Sequence, residues 1–189
     1  MRTEVKLSKR LERIASFVQP GSRVADIGTD HGLCADLGWC RRACARRHWR
    51  MDVRKGPLER AEEHVEEVGL SGKIELRLSD GLAKLKAGEA DTVVIAGMGG
   101  KLTCRILEQG RHVWENWSEG KERLILSPQS EQDEVRHFLE EQGFSILREA
   151  MLTDEGKYYI VIEASRGTMR RGESRITVLE RFDPEERSG

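Results

Sequence analysis

The chain has 189 residues, of which 38% are hydrophobic, and this size suits one domain with a sizeable core while excluding two full domains. Its 32 Lys and Arg against 33 Asp and Glu leave a net charge of -1. That balance excludes a uniformly basic nucleic-acid coat, so any RNA contact has to come from a local patch. The apolar runs are far shorter than the roughly 20 residues that cross a bilayer, and no secretory signal is visible, so we expect a cytoplasmic protein.

Apolar residues at helical spacing predict an amphipathic helix at the start of the chain, with Leu7, Leu11, Ile14 and Val18 on one face. Strands and helices then alternate. The predicted elements are a strand at Arg23–Ile27, a weak strand ending near Asp52, a helix at Pro57–Val68, strands at Lys73–Leu78 and Asp91–Ala96, a helix around Leu102–Leu107, a strand at Arg123–Leu126, a helix around Val135–Leu139, and strands at Phe144–Glu149 and Tyr158–Glu163.

This alternation predicts an α/β fold with a mostly parallel sheet and helices on both of its faces. The last two strands are joined by a turn-rich connector, Thr153–Gly156, and are predicted to be antiparallel. Ligands of such sheets bind at the carboxyl ends of the strands, so the chemistry is expected there.

Polar and glycine-rich residues follow most of the predicted strands. They are Asp26–Gly32, Asp80 and Gly81, Gly97–Gly100, and Ser127–Gln129. Asp52 ends the weak second strand, where an acidic side chain can accept hydrogen bonds from ribose hydroxyls. The three glycines of Gly97–Gly100 favour close approach of a flat ligand, because no side chain covers the backbone there.

Each signal also has a structural explanation. The turn at Gly28 is neither a GxGxxG motif nor a Walker motif, and Asp80 with Gly81 is compatible with an ordinary turn. His31 is compatible with a solvent-facing loop. It has no second histidine at helical spacing to form a metal pair, so no metal is predicted.

Several motifs together resemble the bacterial TrmK family, the tRNA adenine N1-methyltransferases that modify adenine twenty-two. The motifs are Leu7–Leu11, Val24–Gly32, Asp80–Gly81, Ile95–Gly100 and Glu122–Pro128. The resemblance implies a Rossmann-like class I methyltransferase fold, with a mostly parallel seven-stranded sheet and an antiparallel C-terminal strand pair. It also implies a methyltransferase domain over residues 1–165 and a polar tail, 166–189, in place of the family's coiled-coil appendage.

The resemblance further implies S-adenosylmethionine as methyl donor and N1 of an adenine in the D arm of tRNA as acceptor. The implied cofactor-binding residues are Asp26, Gly28, Asp30, His31, Asp52, Asp80, Gly81, Ala96 and Gly97. Gly97, Met98 and Gly99 are expected to line the methyl-transfer site. Gln129 is predicted to orient the base, although a loop glutamine without a role is an open alternative.

Lys6, Lys9, Arg10 and Arg13 lie within two turns of the first predicted helix, and we expect Lys9 and Arg10 to contact tRNA phosphates. A solvated helix face is the alternative.

The segment Leu33–Arg50 departs from the family pattern, because Cys, Trp and Arg are clustered in it. Our hypothesis is a compensated pair of frameshifts in the gene, and sequencing of the DNA across this segment tests it. Two other functions stay open: a methyltransferase for a small molecule, and a nonenzymatic nucleotide- or RNA-binding module.

Overall fold

The computed structural model describes residues 8–28, 46–67 and 69–167. The predicted cofactor residues Asp30 and His31 lie outside these ranges, as do Lys6 of the predicted cationic row and the tail from residue 168 onwards. Most of the anomalous segment Leu33–Arg50 also lies outside them.

Seven strands and five helices make up the described ranges. In chain order they are α1 (Lys9–Phe17), β1 (Arg23–Ile27), β2 (Arg47–Asp52), α2 (Lys55–Glu67), β3 (Ile74–Leu78), β4 (Thr92–Ala96), α3 (Gly100–Gln109), α4 (Arg111–Trp114), β5 (Arg123–Ser127), α5 (Gln132–Glu141), β6 (Phe144–Asp154) and β7 (Lys157–Arg166). Every predicted element is present within a few residues of its expected position. The short helix α4 was not predicted.

The predicted fold class is confirmed. The strand order is β3-β2-β1-β4-β5-β7-β6, and β7 is antiparallel to both β5 and β6 while the other pairs are parallel. The order reverses between β1 and β4, which are neighbours in the sheet. Ligands of doubly wound sheets bind at this switch point, beyond the carboxyl ends of the strands.

The connector between the last two strands is shorter than predicted. Thr153 pairs with Tyr158 and Asp154 pairs with Lys157, so only Glu155 and Gly156 form the turn. Their φ values of 48° and 75° are both positive, as a two-residue type I′ hairpin turn requires. The expected four-residue connector is therefore wrong, because a turn of this type lets both strands continue to its edge.

Successive side chains of the central strands point to opposite faces of the sheet and pack into two separate hydrophobic cores. Val93 and Ile95 of β4 face a core that includes residues of α3 to α5, whereas Val94 and Ala96 face a core built with α1. None of the helices in the described ranges is long and apolar enough to cross a membrane.

Helix α1 begins at the same edge of the sheet at which β4 and β5 end. The backbone N–H of Arg10 donates to the Asp154 carboxylate, 3.1 Å away at the carboxyl end of β6. Arg148, nearer the start of β6, donates to the Phe17 carbonyl at the other end of α1. Since β6 runs in the same direction as β5, α1 runs antiparallel to both.

Candidate active site

The residue that follows β1 meets the loop after β4 at the switch point. This residue, Gly28, has a φ of +90°, and its N–H donates to the Met51 carbonyl at 2.9 Å. A β-carbon at Gly28 would overlap the terminal methyl of Met98. The structure thus brings together two of the predicted site residues. The positive φ favours glycine at position 28, and a β-carbon there would require the flexible end of the Met98 side chain to move.

Gly97 leaves an open position beside this contact. Its φ is +79°, and the nearest atom to a β-carbon placed there is Nε2 of Gln129, at 3.9 Å. The Gly97 N–H donates to the Ser127 carbonyl at 3.2 Å, and the Gln129 N–H donates to the Met98 carbonyl at 2.8 Å. The predicted residues Gly97, Met98 and Gln129 therefore form one slot. Ala96 is buried below it at the end of β4.

The three glycines that were expected to admit a flat ligand differ in packing, and Gly100 is more tightly packed than Gly99. A β-carbon at Gly100 would overlap the Glu131 carbonyl oxygen. Gly99 has a φ of -66°, which any residue adopts, and a β-carbon there would lie 3.0 Å from the Ser130 hydroxyl. Gly99 thus faces the following loop, and the slot is formed at Gly97.

Glu131 links the loop after β5 to the loop after β4. Its carboxylate accepts hydrogen bonds from the Ser130 hydroxyl at 2.6 Å and from the Gly100 N–H at 3.1 Å, at the N-terminus of α3. The bond from Ser130 is the main reason why the pKa of Glu131 lies below its usual value. Glu131 is also a non-glycine residue with a positive φ, 46°. Such backbone strain persists where the surrounding contacts impose it.

The carboxyl ends of β2 and β3 carry an acidic residue and two exposed apolar side chains. Asp52 is buried, and its Oδ1 accepts the Arg54 N–H at 2.8 Å. Val53 is 59% exposed and Leu78 is 46% exposed. Sequence reasoning missed these two residues, although an apolar residue directly after the acidic end of a strand was a usable signal. Apolar surface at a strand end is suited to an aromatic ligand ring.

Asp80 and Gly81 lie where predicted, in the turn after β3. Asp80 is exposed, and the carbonyl of Gly81 accepts the buried Ser79 hydroxyl at 2.9 Å. Gly81 has a φ of +51°, and a β-carbon there would lie 2.9 Å from the side chain of Ile106 in α3. This glycine therefore packs the turn against a helix, in addition to any cofactor contact.

Asp26 lies inside the sheet rather than in the open slot. Its carboxylate is 3.9 Å from His48 Nε2, and both side chains are buried. Burial raises the pKa of Asp26 and lowers the pKa of His48, while attraction between the two opposes both shifts. Burial also lowers the pKa of neighbouring Arg50 to about 10. Sequence reasoning missed His48 and Arg50, because it set their segment aside as anomalous.

The two cationic residues that were predicted to contact tRNA from α1 differ in exposure. Lys9 is exposed, but Arg10 is only 8% exposed and its guanidinium lies 4.9 Å from the centre of the Tyr159 ring. The expectation of one solvent-facing row is therefore wrong for Arg10, because β7 supplies an aromatic surface that covers it. No cluster of metal-ligating side chains occurs within residues 8–28, 46–67 and 69–167.

Residues 7–162 match a family described as "Methyltransferase domain". The chain is 38% identical over 164 residues to the tRNA (adenine(22)-N(1))-methyltransferase of Bacillus subtilis (strain 168), covering 87% of this chain and 67% of the relative.

Solved structures agree with this likeness. The crystal structure of the B. subtilis M1A22 tRNA methyltransferase TrmK is 36% identical, with a TM-score of 0.81, over 93% of this chain and 73% of that one. Sp1610 of Streptococcus pneumoniae, in complex with S-adenosyl-L-methionine, is 38% identical, with a TM-score of 0.77, over 87% of this chain and 75% of that one. With its switch-point slot and this degree of likeness, the chain belongs to the family of tRNA (adenine(22)-N(1))-methyltransferases.

Proposed function

We propose that this chain transfers a methyl group from S-adenosylmethionine to N1 of an adenine in the D arm of tRNA. The observation that carries the proposal is the open position at Gly97, bounded by the Gln129 amide and joined to the Gly28 loop through Met98. The TrmK of M. capricolum has been solved with S-adenosyl-homocysteine, the cofactor product, and is 27% identical with a TM-score of 0.71 over 86% of this chain and 70% of that one.

The described residues fit the cofactor. The absence of a side chain at Gly28 leaves backbone available to an amino-acid moiety, although Met98 covers one side of it. Asp52 stands where a carboxylate can accept ribose hydroxyls, and Val53 and Leu78 offer apolar surface for an adenine ring. When bound, S-adenosylmethionine supplies an electrophilic methyl group on its sulfonium.

The acceptor needs little chemical help from the protein. Adenine N1 carries an in-plane lone pair, so it can attack a methyl group without losing a proton first. Alignment and exclusion of water can therefore supply most of the acceleration. In the slot, Gly97 leaves space for the flat base. The Gln129 carboxamide faces Gly97 with its Nε2, and a half-turn of this group would present its oxygen as an acceptor for the exocyclic amine.

The catalytic unit is proposed to span residues 1–165, with the polar tail 166–189 outside it; the last strand, β7, ends at Arg166. The proposed substrate is a cytoplasmic molecule in bacteria, so the proposal places the protein in that compartment.

Methylation of an unmodified tRNA transcript with labelled S-adenosylmethionine tests the proposal. We expect label in tRNA, and a reverse-transcription stop in the D arm, because a methyl group on N1 blocks base pairing. Transfer of label only to members of a small-molecule panel would support the competing methyltransferase function. Cofactor binding by calorimetry with no transfer to either would identify a nonenzymatic module.

A further inference from the structure

The hairpin of β6 and β7 extends beyond the rest of the sheet at the edge where β4 and β5 end. The last paired residue of β5 against β7 is Leu126, opposite Ile162, and β5 ends one residue later. Residues 157–160 of β7 continue past that point, a distance of about 13 Å at the rise of a strand. The tip of the hairpin therefore projects on the same edge as the slot at Gly97.

One face of this projection is held by α1. Leu152 and Tyr159 pack against the core that includes α1, and the Arg10 guanidinium lies over the Tyr159 ring. The hydrogen bond from the Arg10 N–H to Asp154 fixes the strand just before the turn. The projecting hairpin is thus a supported element rather than a loose arm.

The opposite face carries exposed apolar side chains. Side chains alternate along a strand, so Met151 and Tyr158 lie on the face away from Leu152 and Tyr159. Met151 is 42% exposed and Tyr158 is 71% exposed, the largest value among the large apolar side chains of the described residues. Around the turn, the negative charges of Asp154 and Glu155 are matched by the positive charges of Lys157 and Arg10, so no net negative charge repels a phosphate backbone here.

We propose that Tyr158 is a stacking platform for an unpaired base of the tRNA substrate, next to the adenine that enters the slot. The inference rests on the proposed function. N1 lies on the Watson–Crick edge of adenine, so a target base that is paired through this edge has to leave its pair before it can react. A neighbouring base then loses a stacking partner, and an aromatic side chain on a rigid strand replaces it.

Steady-state methylation of a tRNA transcript by three variants tests this assignment. Tyr158→Ala should raise KM for tRNA on the order of tenfold, because stacking of one base on an aromatic ring is of that strength. Tyr158→Phe keeps the ring and should stay within about twofold of the parent chain. Leu147→Ala, at a 37% exposed position near the start of β6, is the matched control and should leave KM unchanged.

S-adenosylmethionine affinity and melting temperature should be the same in all three variants and the parent. An unchanged tRNA KM in Tyr158→Ala, or an equal rise in Leu147→Ala, would overturn the assignment. A concentration-dependent change in sedimentation of Tyr158→Ala, with tRNA kinetics unaltered, would instead assign the residue to contact with a second copy. If the parent chain does not methylate tRNA, the proposed function itself is wrong. This outcome is distinct from failure of the Tyr158 assignment.

Discussion

The side chain of Met98, carried by the loop after β4, occupies the space that a β-carbon at Gly28 would need. The residue that follows β1 and the loop that follows β4, which are distant in the chain, are thereby in contact at the switch point of the sheet. A substitution at one of these two positions is therefore expected to displace the residue at the other.

Gly28→Ala should be somewhat more destabilising than backbone strain alone would make it, because the backbone φ is +90° and the flexible end of the Met98 side chain has to move away from the new methyl group. Gly88→Ala is a matched control: its φ is +76°, but nothing lies within 4 Å of the new β-carbon. The control should lose only about 1 kcal/mol of unfolding free energy, which is the cost of backbone strain. Chemical denaturation should give a larger loss for Gly28→Ala, and adding Met98→Ala should recover part of it. Equal losses at the two glycines would contradict the packing argument.

Gln129→Ala should lower the rate of methyl transfer about tenfold or more, because the base loses a partner for its exocyclic amine. Cofactor affinity, measured by calorimetry, should stay the same. Gln109, exposed at the far end of α3, provides the control Gln109→Ala, which should match the parent. Full activity in the Gln129 variant would leave that residue as part of the loop alone.

Asp52→Ala should weaken S-adenosylmethionine binding by about 1–3 kcal/mol, because ribose hydroxyls would lose a buried acceptor. Asp52 also accepts the Arg54 N–H, so loop distortion is a second possible cause of a loss. Asp52→Asn separates the two, since its carbonyl oxygen can still accept that N–H while the other oxygen is replaced by a donor. We expect calorimetry to show weak binding in both variants; parent-like affinity in Asp52→Asn would assign the aspartate to the loop.

Lys9→Ala and Arg10→Ala should behave differently. Loss of one phosphate contact at exposed Lys9 should weaken tRNA binding and reduce the slope of log affinity against log salt by nearly 1. Arg10→Ala should chiefly lower the melting temperature, since the buried guanidinium lies over Tyr159. A salt titration of tRNA binding and a thermal melt of each variant measure both effects. An unchanged slope in Lys9→Ala would show that α1 is not an RNA contact at that residue.

The stability of the protein should depend on His48 below neutral pH. Burial lowers the pKa of His48 in the folded chain, whereas an unfolded histidine titrates near about 6.5. The unfolded chain then takes up a proton that the folded chain resists, so the free energy of unfolding falls as the pH drops through that value. One such group contributes at most about 1.4 kcal/mol per pH unit.

Burial raises the pKa of the adjacent Asp26, and proton uptake there favours the folded chain on acidification, which opposes the effect of His48. The comparison of variants isolates the histidine. Denaturation between pH 7.5 and 5.5, roughly one unit to either side of the pKa of an unperturbed histidine, should show a smaller loss of unfolding free energy in His48→Gln than in the parent. Identical profiles for the parent and His48→Gln would rule out this linkage.

Much of the fold and part of the site could be predicted from the sequence. β1 was placed at its observed bounds because Val24, Ala25 and Ile27 indicate a short buried strand and a glycine turn follows. The slot at Gly97 was found because three glycines after a buried strand are hard to explain without close approach. Both inferences rest on residues that are adjacent in the chain.

Relationships between distant residues were out of reach. Helical spacing places Arg10 on a side of α1, but only the packing of β7 decides that this side is covered by Tyr159. Likewise, β2 contains the buried residues His48 and Arg50, so no apolar pattern indicated that the strand begins at Arg47. Its place between β1 and β3 is set by pairing on both sides.

The backbone hydrogen bonds from Gly97 to Ser127 and from Gln129 to Met98 prolong the β4–β5 pairing beyond the ends of both strands. The slot at Gly97 is therefore an extension of the sheet itself, and under the proposed function it receives the base. Its shape is set when the protein folds, so an incoming base need not order a loose segment, and less of the binding free energy is lost as conformational entropy. Preorganisation of this kind allows a site built largely from glycines to hold a single geometry.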